Sequence, residues 1–270
     1  DEGSPSSGSS AVAAMVGLGL GMVLYMFLMI YGAMVMQSVI EEKSSRVLEV
    51  VVSSVRPFEL MMGKIFGVAS VAVVQVLIWA VLVCGAGAAV MPHVLPDGAM
   101  EAAAALQQGG GAATAAAGDF DPETLGAIAL ATDVGYLGML FGYLLLFVVG
   151  GYLLYSAMFA AVGSAVDNAQ DAAQLQTPIM IPIILAVIVE MSVLNDPNSP
   201  LAFWFSLIPF TSPVVMMARI PYGIPTWEIV LSLVLLYGSF VGMVWFAAKI
   251  YRVGIFMYGK KPSLKELFKW

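Results

Sequence analysis

The stretch VGYLGMLFGYLLLFVVGGYLLYSAMFAAVG, residues 134–163, decides the class of this protein. It contains no Asp, Glu, Lys or Arg, and it exceeds the roughly 20 residues that a helix needs to cross the hydrocarbon core of a bilayer. Inside that core every backbone N–H and C=O must be bonded within the protein, and a helix does this within one segment. The sequence therefore predicts a transmembrane helix here.

Four more segments have the same apolar character. Hydrophobic residues make up 60% of the 270 residues, charged residues 11%, and the mean hydropathy is +0.93. A soluble domain has about 25% charged residues. We therefore expect an all-α fold, a polytopic membrane helix bundle. Its five predicted spans are residues 11–37, 61–90, 134–163, 177–194 and 226–250. Four of them contain glycine pairs spaced for close helix packing: Gly17/Gly21, Gly63/Gly67, Gly138/Gly142 and Gly238/Gly242.

The basic residues predict the orientation. Ten of the eleven Lys and Arg follow the first predicted span or lie at and beyond the end of the fifth. The positive-inside rule places both regions, including the tail 251–270, in the cytoplasm. Residues 91–133 contain six acidic residues and no basic ones, which predicts a flexible external loop with a short Ala-rich helix.

Six prolines interrupt the apolar segment 195–225. Non-helical backbone at membrane depth must be buried in protein or line a cavity, so we predict a broken re-entrant hairpin on the outer side. An external loop on the membrane surface is the alternative. Glu190, inside the fourth span, and Arg219, the one basic residue on the outer side, are predicted to pair. A Glu190 side chain that extends to the membrane interface is the alternative.

The segment 41–58, EEKSSRVLEVVVSSVRPF, joins the first two spans on the predicted cytoplasmic side. One stripe is Val and Leu and the other is charged, a pattern typical of a helix that lies at the membrane interface. Pro57 is expected to end it. Such a helix can dock a soluble partner, or it can serve only as a surface connector.

Several stretches carry a family resemblance. EEKSSRVLEVVVSSVRPFELMMGK (41–64) resembles the coupling-helix segment of type-2 ABC exporter permeases, especially the sodium-efflux NatB-like group. GYLLYSAMFAAVGSAVDNAQDAAQLQTPIMIP (151–182) and NDPNSPLAFWFSLIPFTSPVVMMARIPYG (195–223) are similar to that group as well. Members typically have six spans and a large external domain after the first. Residues 1–10 are thus expected to end such an external region, with an upstream span missing, and 11–270 to form the permease domain.

The resemblance implies a mechanism. Two permease subunits, identical or not, would pair in the plasma membrane of a prokaryote above two separate ABC ATPase subunits, which bind ATP and Mg²⁺. The chain itself would need no cofactor and would not be an enzyme. The resemblance suggests Na⁺ as the substrate, and drugs, lipids or peptides stay open as alternatives. The resemblance assigns ATPase docking to Glu42, Lys43, Arg46, Glu49 and Pro57, and a lesser contact to the second cytoplasmic loop at Asp167, Gln170 and Asp171.

Other classes fit less well. A net charge of −7 argues against nucleic-acid binding. Gly254 to Lys260 matches part of a P-loop, but Lys261 stands where Ser or Thr must hold Mg²⁺, so the ATPase must be another chain. One Cys and one His do not support a metal site or a Ser-His hydrolase. An ion-coupled carrier or channel and a non-transporting scaffold stay open as alternatives.

Overall fold

The computed structural model describes residues 7–45, 56–95, 98–107, 122–166 and 168–256. All regular structure in these ranges is helical, which confirms the all-α prediction. The helices are α1 (Ser7–Ser44), α2 (Pro57–Val94), α3 (Ala99–Gln107), α4 (Pro122–Thr132), α5 (Val134–Ala165), α6 (Ala169–Val193), α7 (Pro200–Leu207), α8 (Ser212–Arg219) and α9 (Thr226–Phe256), with a 3₁₀ turn at Ile220–Tyr222.

Five helices, α1, α2, α5, α6 and α9, are long and apolar enough to cross a membrane, as predicted. They extend beyond the predicted spans mainly in polar turns. The clearest case is α6, predicted from residue 177 but beginning at Ala169. Its polar first turns are helical because the Asn168 side chain caps them, accepting a hydrogen bond from the Asp171 backbone N–H at 2.8 Å. Hydropathy alone cannot detect such a helix start.

Helix α5 lies at the centre of the bundle, with α1 and α9 packed against it over much of their lengths. Close approach of α1 and α5 depends on glycine. A Cβ at Gly163 of α5 would lie 2.8 Å from the Met36 carbonyl oxygen of α1, and a Cβ at Gly32 would overlap the ring of Phe159. The contact Gly151–Leu28 is followed by the contact Gly163–Met36, further along both helices, so α1 and α5 run in the same direction.

The predicted hairpin region contains two short helices, α7 and α8. Every residue of α8 is buried, and α8 packs against α1, α5, α6 and α7. Pro200 and Pro213 lie in the first turns of α7 and α8, where a missing N–H costs no hydrogen bond. The depth of these helices in a bilayer stays a prediction.

The region 91–133 contains helix as well, in α3 and α4. These two helices pack on each other through Ala99, Ala103 and Ile128, and α4 also contacts α1. Part of the predicted external loop is therefore folded onto the bundle. That this region faces outward is still a prediction.

The bundle has two chemically distinct ends. The end near Lys43 and Lys64 is the basic end, and the end formed by α7 and α8 is the hairpin end. Helix α1 joins them, since Gly17 lies against Ala218 of α8 and Lys43 contacts Ser164 at the end of α5. The intervening 26 residues of helix, counted from Gly17 to Lys43, span about 39 Å, more than a hydrocarbon core of roughly 30 Å.

Candidate coupling site and buried charges

At the basic end, Lys64 joins the beginning of α2 to the last turns of α1. Its Nζ donates to the Ser38 carbonyl oxygen at 2.9 Å and to Ser38 Oγ at 3.1 Å. It also lies 2.7 Å from Glu42 Oε2. The Glu42 side chain keeps 38% of its surface exposed, so this ion pair is partly open to solvent. These contacts fix the two helix ends from which the segment 41–58 extends.

Lys43 is buried, with 2% of its surface exposed. Its Nζ donates to the Ser164 carbonyl oxygen at 2.9 Å. Ser164 is in the last turn of α5, where carbonyl oxygens have no partner within the helix and where the helix dipole favours a positive charge. The Lys43 ammonium group thus faces α5, which argues against its predicted contact with the ATPase, and that docking role stays a prediction.

The structure describes only some of the remaining residues that were predicted to dock the ATPase. Arg46, Glu49 and Asp167 lie outside the described residues. Pro57 begins α2, so it starts a helix as well as ending the predicted coupling segment. Gln170 is exposed in the first turn of α6. Because Lys43 brings the end of α1 to the end of α5, the segment 41–58 and the loop before α6 start from adjacent points of the bundle.

At the hairpin end, Arg219 is buried and connects three segments. Its NH1 lies 2.9 Å from Glu228 Oε2 in the first turn of α9, an ion pair without hydrogen-bond geometry. NH1 also donates to Ser206 Oγ of α7 at 2.6 Å, and Nε donates to the Pro197 carbonyl oxygen at 2.7 Å. The arginine thus fixes α7, α8 and the start of α9 together.

The predicted pair of Glu190 and Arg219 is wrong. Glu190 is fully buried on α6, and its carboxyl group faces Gly21 of α1. Neither carboxylate oxygen has a hydrogen-bond partner among the described residues. Arg219 turns instead toward α7 and α9. The sequence analysis did not identify Glu228 as the partner of Arg219, because an acidic residue at the end of a span needs no partner. Its position nine residues after Arg219, across a short turn, was the available signal.

Hydroxyl groups complete the hairpin end. Ser232 Oγ of α9 donates to the Ser206 carbonyl oxygen at 2.7 Å, and Tyr155 of α5 donates its hydroxyl to the Phe210 carbonyl oxygen. The buried hydroxyl of Tyr222, in the 3₁₀ turn, has no hydrogen-bond partner among the described residues, and burial raises the pKa of Tyr222 above its ordinary value. The hairpin is therefore tied to α5 and α9 by polar contacts in an apolar setting.

Comparison with known proteins identifies the family. The model of a family described as ABC-2 family transporter protein matches residues 4–249. The chain therefore belongs to the ABC-2 transporter family, and it is a multi-pass membrane protein. The NatB-like subgroup stays a resemblance of the sequence.

Two relatives are uncharacterised. The chain is 27% identical over 246 residues to the uncharacterized protein YhaP of Bacillus subtilis, covering 91% of this chain and 52% of the relative. It is 26% identical over 253 residues to the uncharacterized protein MJ1024 of Methanocaldococcus jannaschii, covering 93% of this chain and 52% of the relative. The chain thus spans about half the length of the curated relatives it matches. No solved structure matches it.

Proposed function

We propose that this chain is the permease part of an ATP-driven exporter whose ATP is hydrolysed by a separate ABC ATPase subunit. The family match over residues 4–249 carries the proposal, and five long apolar helices support a membrane role. The ATPase subunit would bind ATP and Mg²⁺, so the permease itself would need no cofactor. A second permease subunit, identical or different, would complete the assembly in the plasma membrane of a prokaryote.

The contacts at the basic end support a route for coupling. The segment 41–58 would rest on the ATPase through Arg46 and Glu49, while Lys64 holds the helices on either side of it together. Lys43 would link the same point to α5. A movement of the ATPase would then reach α1, α2 and α5 as one unit, because charge-assisted contacts join their ends. Glu42, Pro57, Gln170 and Asp171 would contribute the remaining contacts.

Na⁺ is the substrate that the sequence resemblance favours, and extrusion is the expected direction. The main alternative is an ion-coupled carrier or channel, favoured by one observation: the buried Glu190 carboxyl group has no hydrogen-bond partner in the part of the chain that the structure describes. Such a protein would move ions down an ion gradient without ATP. ATP dependence of transport therefore separates the two functions.

Charge reversal tests the docking role. The variant Arg46→Glu/Glu49→Arg keeps the net charge and leaves the Val and Leu stripe intact, so expression and membrane insertion should be unchanged. Recovery of the ATPase with the affinity-tagged permease should fall sharply, since charge pairs across an interface can contribute several kcal/mol. Reversal of Glu101, exposed on α3, is the control and should leave recovery unchanged. Wild-type recovery with the double reversal would contradict docking through this segment.

A further inference from the structure

Glu190 places a carboxyl group inside the bundle without a partner. The residue is 0% exposed, and neither Oε1 nor Oε2 has a hydrogen-bond partner in the described structure. A lone carboxylate in an apolar interior is very costly unless a cation or a proton neutralises it. Structural carboxylates avoid this cost by pairing, as Glu228 does with Arg219. Glu190 therefore needs a neutralising group that the described side chains do not supply.

Glu190 packs against a glycine-containing stripe of α1. Its carboxyl group lies against Gly21 of α1, where a Cβ would overlap Oε1. One helical turn nearer the hairpin end, on the same face of α1, Gly17 lies against the carbonyl oxygen of Ala218. Four residues of helix separate these two points by about 6 Å. The carboxyl group and a backbone oxygen thus lie along one stripe of α1, where glycine leaves room for them.

The charged groups nearby are committed elsewhere. Arg219 follows Ala218 in α8, but its guanidinium contacts Glu228, Ser206 and Pro197. Neither carboxylate oxygen of Glu190 is within hydrogen-bond reach of a charged side chain among the described residues. From that turn, which packs on α1, Tyr222 brings a buried hydroxyl that also has no partner among the described residues.

We propose that Glu190 is a binding site for a small monovalent cation, either a proton or Na⁺. The reaction is an exchange. Na⁺ binds the Glu190 carboxylate as the carboxylic acid releases one proton, and the reverse step restores the acid. The link to export rests on the proposed function, because a cation held in the bundle is a candidate for the transported ion. Binding itself requires neither ATP nor the ATPase.

Infrared difference spectroscopy on the full chain in lipid nanodiscs, without ATPase, tests the proposal. Replacing choline chloride by NaCl at constant pH should weaken the C=O band of a protonated carboxyl group, and Glu190→Gln should abolish this change. A band that responds to pH and not to Na⁺, and is lost in Glu190→Gln, identifies the cation as a proton. A spectrum that responds to neither from mildly acidic to mildly alkaline pH, or a response that persists in Glu190→Gln, would overturn the proposal.

Two further variants keep the test valid if Glu190→Gln folds poorly. Gly21→Ala puts a methyl group onto Glu190 Oε1 and should raise the Na⁺ or proton concentration at half-maximal response by about tenfold. Gly19→Ala, on the same helix with no atom within 4 Å of its Cβ, is the matched control and should leave the response unchanged. Equal responses of the two variants would overturn the assignment. If the wild-type chain binds the cation but its complex with the ATPase shows no ATP-driven transport, the proposed function is wrong and the binding site stands.

Discussion

The Arg219 guanidinium lies 2.9 Å from the Glu228 carboxylate, so the last residue of α8 is joined to the first turn of α9. Both side chains are almost fully withdrawn from solvent, with 1% and 10% of their surfaces exposed. An ion pair so sheltered contributes little if both partners are replaced, but removing one leaves a buried charge uncompensated. The hairpin end is thus held by a contact that is costly to break from one side.

The first prediction concerns this pair. Arg219→Met or Glu228→Gln should each destabilise the protein by about 3 kcal/mol, because the remaining charge stays buried without its partner. The double variant should lose less than the sum of the two. Unfolding in detergent, followed by a double-mutant cycle, measures the coupling.

Glu190 provides the control for that cycle. Glu190→Gln combined with Arg219→Met should be additive, since the two side chains do not contact each other. If Arg219 and Glu190 are coupled in the cycle while Arg219 and Glu228 are additive, then Glu190, and not Glu228, holds the hairpin.

The second prediction concerns Lys43. Lys43→Met should destabilise the protein by about 2 kcal/mol, because the Ser164 carbonyl oxygen loses a charged donor in a buried setting. Binding of the ATPase, measured on the folded fraction, should be unchanged. Unchanged stability with weakened ATPase binding would restore the docking role that the structure argues against.

The third prediction compares two glycines of α5. Gly163→Ala should destabilise by about 1–3 kcal/mol, because the new Cβ would lie 2.8 Å from the Met36 carbonyl oxygen, which cannot rotate away. Gly138→Ala is matched in helix and chemistry but has no atom within 4 Å, so it should be neutral or slightly stabilising. Thermal unfolding of both variants in the same detergent distinguishes them, and equal shifts would contradict the described crossing of α1 and α5.

The sequence predicted what long apolar runs determine and missed what tertiary contacts determine. All five long apolar helices were predicted because each contains a mostly apolar run close to or beyond the length needed to cross a bilayer core. The start of α6 was missed because AQDAAQLQ is polar and its helix depends on the Asn168 cap. Lys43 was placed on a charged stripe, but the structure turns it to a helix end that lies 121 residues away in the sequence.

Glycine spacing also does not determine which helices pack together. Gly17 and Gly21 occupy close contacts with Ala218 and Glu190, as a G-x-x-x-G pair suggests. The pairs Gly63/Gly67, Gly138/Gly142 and Gly238/Gly242 have nothing within 4 Å of their added Cβ atoms in the described structure. The spacing marks a helix face that can pack closely, but neighbouring helices decide which faces do.

The fourth prediction concerns orientation in the membrane. With Cys84→Ala as the background, Cys replaces Ser44 at the basic end or Glu101 on α3, both of which are exposed. The distribution of Lys and Arg predicts that an impermeant thiol reagent added to whole cells labels position 101 and spares position 44. Opened cells should show both positions labelled. If position 44 alone is labelled in whole cells, the chain has the opposite orientation to the predicted one.

We propose above all that ATP hydrolysis in a partner subunit drives export through this chain. The most direct measurement is uptake of radiolabelled Na⁺ into proteoliposomes that carry the complex with its ATPase side outward. Uptake should require ATP, should stop when the ATPase is inactivated, and should persist when ion gradients are collapsed. Uptake that proceeds without ATP and follows an ion gradient would contradict the claim and identify an ion-coupled carrier.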